Sequence, residues 1–135
     1  METLKNKIDF AVIVHVKNAN PNGDPLNGNR PRVNYDGIGE LSDVCIKRKI
    51  RNRWMQKYAE LKKKEQEGLA VFVQSDDSKL DNYPSLRARA EGELKKKLKK
   101  KQWKDEKNFR EAVCKKWIDV RAFGQVFAYG GEKKG

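Results

Sequence analysis

Acidic side chains are in short supply: 19 Asp and Glu stand against 31 Lys and Arg, which leaves a formal charge of +12. Self-repulsion on that scale opposes compaction unless a polyanion neutralises it, so the expected partner is nucleic acid. Cysteine is nearly absent too. Cys45 and Cys114 are the only two, both in helical patterns, so they read as small, buried, reduced thiols and no disulfide framework is expected. The single histidine, His15, has no cysteine or second histidine nearby, which excludes a zinc site of the usual spacing. Long hydrophobic runs are missing as well. The longest, Phe10 to Val14, falls far short of the roughly 18 residues that span a bilayer. Membrane insertion is thereby excluded, while attraction to an anionic surface stays open. The N-terminus carries no basic stretch leading into an apolar run and a cleavage site, so the expected location is cytoplasmic.

With 135 residues, 37% of them hydrophobic, the chain has material for one modest core, and a single domain over 1–135 is expected. Ile8, Phe10, Val12, Val14 and Val16 alternate along Ile8–Lys17, the period of a strand. The next stretch is dense in turn chemistry: Asn20-Pro21, Asn22-Gly23, Asp24-Pro25, Asn27-Gly28 and Asp36-Gly37 make 18–40 a long loop of the kind that is functional or disordered. Ser42 or Asp43 can cap a helix that runs to Gly68. Its apolar line is Ile46, Ile50, Trp54, Tyr58 and Leu61, an arc of roughly 120°. Arg48 and Lys49 lie outside that arc, Arg51 and Arg53 just beyond its edges, and Lys47 near one side, where its stem packs and its ammonium snorkels outward.

Leu69–Gln74 reads as a second strand and 75–84 as a loop. A helix resumes at Ser85 through Leu86, Ala90, Leu94 and Leu98 into a lysine run at 95–97 and 99–101, with Gly92 as a weak point. Another spans Asp105–Trp117 on Phe109, Val113 and Trp117. Ile118–Ala128 alternates as a third strand, with a bulge allowed at Gly124, and 129–135 reads as a loop or a cut end.

Four blocks in order carry a resemblance: Asn18–Pro25, Asn29–Val33, Asp43–Asn52 and Asp119–Val126. They closely resemble the CRISPR-associated backbone subunit of type I Cascade complexes, most like type I-C, and specifically its N-terminal half. The resemblance implies an α+β fold: a modified RNA-recognition-motif, ferredoxin-like domain, here incomplete, with helices on one face of a small antiparallel sheet. It implies a subunit that polymerises along CRISPR RNA with further copies of itself and other Cascade subunits, meeting target DNA through the guide, with no cofactor, metal or reaction of its own. Carried over by residue, it puts Lys47, Arg48 and Arg51 on the helix that holds guide phosphates. Asn20, Asn22, Arg30 and Arg32 fall in the loop beside the same backbone, and Arg121, Phe123 and Gln125 on a strand near the RNA path. Elementary chemistry agrees, since Arg and Lys suit phosphate oxygens and Asn-Gly turns allow close backbone approach.

Each signal has a plainer reading. On composition alone the basic helix is equally a solvated face, and the lysine run more so. His15 reads as a surface or structural residue. Trp103 reads as a packing anchor, whereas Phe123 alternates onto the polar face and suits base stacking. The alternative function is a RAMP-type endoribonuclease acting through His15 or a loop carboxylate, Asp24 or Asp36. A third is an assembly module with weak RNA contact, which salt dependence separates from a phosphate binder.

Overall fold

A computed structural model of the chain describes residues 6, 9–95 and 105–127 and divides into two compact units, Met1–Ser42 and Asp43–Gly135. The class is α+β. Among the described residues there is one two-stranded antiparallel sheet and there are four helices, consistent with an incomplete RNA-recognition-like fold.

In the first unit, β1 (Gly23–Asp24) pairs antiparallel with β2 (Arg30–Pro31), Gly23 facing Pro31 and Asp24 facing Arg30. A 3-10 turn over Pro25–Asn27 joins them: Asp24 Oδ1 accepts from the Leu26 amide at 3.1 Å, Pro25 presets the first dihedral, and Gly28 takes the left-handed conformation at φ 59°. A second turn follows, closed by the Val33–Gly39 bridge and by Asn34 Oδ1, which accepts from the amides of Asp36 (3.0 Å) and Ile38 (2.9 Å). Segment 18–40 is thus a pair of hairpin turns with a short ladder, more ordered than the long loop its composition suggests.

The strand expected over Ile8–Lys17 is not formed in its described part, residues 9–17. Phe10, Val12 and Ile13 are 82%, 72% and 97% exposed, and among the described residues no strand pairs with them. Alternation sets which face a strand would bury, but a strand exists only where a partner ladder satisfies its amides and carbonyls.

The second unit contains α1 (Asp43–Glu60), α2 (Leu86–Leu94), α3 (Glu106–Lys116) and α4 (Ile118–Phe123). Its core is Phe72, Ala90, Leu94, Val113, Trp117 and Val120, with Phe109 and Phe127 packed around it. Phe72 touches the rings of Trp117 (4.6 Å) and Phe127 (5.1 Å), so the 71–73 segment is the hub onto which the helices pack. Ser85 Oγ caps α2 by accepting from the Ala88 amide (3.1 Å), and Asp105 caps α3 by accepting from Asn108 (2.8 Å). Helix α2 runs unbroken through Gly92. A Cβ there would run into the Tyr83 ring, so the glycine makes room for that packing.

Three sequence expectations are corrected here. Helix α1 ends at Glu60, short of Gly68, because the Gln66 side-chain amide donates to the Tyr58 (3.1 Å) and Leu61 (3.2 Å) carbonyls and ends the last turn. Leu69–Gln74 is irregular, bending at Phe72 and Val73, and makes a single parallel bridge, Ala70 to Trp117, and no ladder. Residues Ile118–Phe123 are helical, with Gly124 N–H bonding to the Val120 carbonyl (3.0 Å) and Asp119 and Val120, neighbours in sequence, both buried. Adjacent burial is a helical pattern, and over so few residues the alternating run is ambiguous between the two periods. Most of the lysine run, Trp103 and 129–135 lie outside the described residues.

Candidate nucleic-acid interface

The polar groups of Phe72 and Val73 are served by side chains where a sheet neighbour would otherwise serve them. The buried carboxylate of Asp119, 0% exposed, accepts from the Phe72 amide (2.7 Å) and the Val73 amide (3.0 Å). Arg89 donates to the Phe72 carbonyl (2.8 Å) and grips Asp81 with two further hydrogen bonds of 2.7 and 2.9 Å. Arg48 donates to the Val73 carbonyl (3.1 Å). Three helices thereby fix one segment, each through a hydrogen-bonded charged group, buried at Asp119 and Arg89 and half-buried at Arg48.

Arg51 neutralises Asp119. Its Nε donates to Asp119 Oδ2 at 2.9 Å, with the Arg51 side chain 12% exposed. The same guanidinium lies 5.1 Å from the centre of the Phe123 ring, and Trp54 stacks on Phe123 at 5.4 Å with 23° between planes. A cation and two aromatic rings are thus assembled from α1 and α4. Of the ten residues singled out in the sequence, two pairs meet directly: Arg51 with Phe123, and, within the first unit, Arg32 with Asn22, the Arg32 amide donating to the Asn22 carbonyl at 2.8 Å.

The others are distributed as follows. Lys47 pairs with Asp43 one turn away (2.9 Å) on the exposed face of α1, while Arg48 turns inward to Val73. Arg121 sits on α4, not on a strand, and donates to the carbonyls of Gly68 (2.6 Å) and Cys114. Gln125 lies in the irregular stretch after α4, its amide donating to the Val126 carbonyl (2.9 Å). In the first unit, Asn20 donates to the Asn29 carbonyl (2.7 Å), and Asn22 Oδ1 accepts from both the amide and the hydroxyl of Ser42 (2.9 Å each). Arg32 pairs with Glu40 at 3.0 Å. Arg30 is exposed on β2 and has no ion-pair partner among the described residues.

Two exposed cations of α1 had no role in the sequence-based set. Lys49 is without an ion pair among the described residues, and Arg53 meets only the neutral Gln56 amide oxygen at 3.3 Å. They are four apart and share one face. The inward residues missed are Asp119 and Arg89. A charged residue inside the apolar run Trp117-Ile118-Asp119-Val120 was the available signal for the first; nothing in the helical pattern marks the second.

Asp81 and Asp43 are held below their ordinary pKa. Burial raises the Asp81 pKa, but hydrogen bonds from Arg89 and the Tyr83 amide, with the Arg89 charge, bring it below its ordinary value. The hydrogen bond and charge of Lys47 lower that of exposed Asp43. His15 is exposed, and Asp24 is engaged in its turn. Among the described residues no three His, Cys, Asp or Glu side chains gather to hold a metal ion, and no helix is long and apolar enough to cross a membrane. Both cysteines are half-buried and unbridged.

No curated protein and no solved structure matches the chain. A family model for CRISPR-associated protein Cas7 matches residues 6–135, nearly the whole chain, in line with the four sequence blocks. With a basic helix anchored on a side-chain-bonded core and a match of that extent, the chain belongs to the Cas7 family, the CRISPR-associated backbone subunits of RNA-guided complexes.

Proposed function

We propose that this chain binds the phosphate backbone of CRISPR RNA within a type I, I-C-like, Cascade complex, alongside further copies of itself and other subunits, and presents the guide to target DNA. The observation that carries the reading is the division of labour on α1: Arg48 and Arg51 are spent on holding the helix to Val73 and Asp119 and Lys47 is paired with Asp43, which leaves Lys49 and Arg53 exposed. Exposed ammonium and guanidinium groups fixed on a rigid helix suit phosphate oxygens and carry no base preference, as a guide of variable sequence demands. In the first unit, taken by itself, exposed Arg30 suits a phosphate in the same way.

In this reading the subunit works in the cytoplasm, uses no cofactor and catalyses no reaction. The experiment compares the chain's affinity for CRISPR RNA with that for unrelated single-stranded RNAs of equal length, while monitoring RNA integrity. Similar affinities and intact RNA are expected. A strong preference for one sequence, or cleavage that disappears in His15→Ala or Asp24→Ala, would overturn it.

A further inference from the structure

Where the turn after α1 meets the end of α3, an open cavity of about 360 Å³ is walled by Tyr58, Ala70 and Leu94 and rimmed by Lys63, Lys115 and Lys116. Glu67 is the one carboxylate in its lining, and Lys116 is already paired with Glu93. Lys63 and Lys115 are exposed and without ion pairs among the described residues. Two features make this convergence more than a solvated surface. Gly68, at φ 76°, lets the turn approach so closely that a Cβ would stand 3.0 Å from the Lys115 carbonyl, so the backbone itself draws the two lysine-bearing segments together. The end of α3 would ordinarily present negative carbonyls to this space, but Arg121 covers those of Cys114 and Lys115, along with Gly68. The local potential is left to the ammonium groups.

We infer that the cavity holds one nucleotide unit, its phosphate between Lys63 and Lys115 and its base against the Tyr58 ring and the apolar floor. The volume is at the lower end for small-ligand sites and suits a nucleoside monophosphate. The unit comes either from a bound RNA strand, which rests on the function proposed above, or from a free nucleotide, which does not.

The test uses the full chain and a Lys63→Gln/Lys115→Gln variant, with Lys107→Gln/Arg110→Gln, whose residues lie outside the cavity lining, as the control of equal charge loss. Binding of single-stranded RNA is titrated over a salt series, binding of adenosine monophosphate is measured separately, and melting curves verify that each variant folds. Loss of one phosphate contact lowers the RNA salt slope by about 0.7 and the affinity about fourfold at 0.15 M salt, with the control unchanged. If only adenosine monophosphate binding weakens, the proposal stands with a free nucleotide as the occupant. If neither ligand distinguishes the cavity variant from the control, the proposal is overturned. Neither result bears on Lys49 and Arg53, so failure here is distinguishable from failure of the α1 interface.

Discussion

Asp119 is the residue on which the second unit turns. Its fully buried carboxylate satisfies two backbone amides and one arginine, and a group in that position cannot be altered without leaving partners stranded in a medium that solvates them poorly. Replacing it with Asn leaves Arg51 uncompensated and is expected to cost about 3 kcal/mol, read as a fall in the urea midpoint. A midpoint within error of the parent would show that the pair contributes nothing. Asp81 makes a related point through pH. Its folded pKa lies below the ordinary 3.8, so the stability it contributes is present above that value and is lost as the pH falls through the lower folded one. Acid destabilisation below about pH 4 should be shallower in Asp81→Asn, measured as stability against pH. Parallel curves for the two proteins would contradict it.

At the scale of elements, the helices were legible where local chemistry decides. Ser85 and Asp105 mark the starts of α2 and α3, and removing either cap by substitution with Ala is expected to cost about 1 kcal/mol in the urea midpoint. Gly92 separates propensity from packing. Helix propensity alone favours Gly92→Ala by about 1 kcal/mol, but the new methyl meets the Tyr83 ring, whose hydroxyl is tied to Glu93 at 3.1 Å, so net destabilisation is expected. A gain in stability would mean that Tyr83 moves aside freely. The strands were not legible, for a physical reason. A period-two run says which side chains share a face, and it is silent about whether a neighbour will hydrogen-bond the backbone. At Phe72 and Val73 that role falls to Asp119, Arg89 and Arg48, which are 17 to 47 residues distant in sequence, and at Phe10–Val16 no ladder forms. The basic helix was legible as a site, but which of its cations face outward was not, because that depends on partners supplied by distant segments. Reversing Arg51, the natural choice from sequence, would test the core.

For the whole molecule, the excess of positive charge finds its purpose in a polyanion, and family membership names the kind. The central claim is that the outer face of α1 holds RNA phosphates. The most direct measurement is the salt dependence of single-stranded RNA binding for the parent chain and for Lys49→Glu/Arg53→Glu, a variant that leaves the Asp119 network intact. The account predicts a steep parental slope, reduced by about 0.7 for each phosphate contact removed, with unchanged melting. Equal slopes and affinities in the two proteins would contradict it and place the RNA elsewhere on the chain.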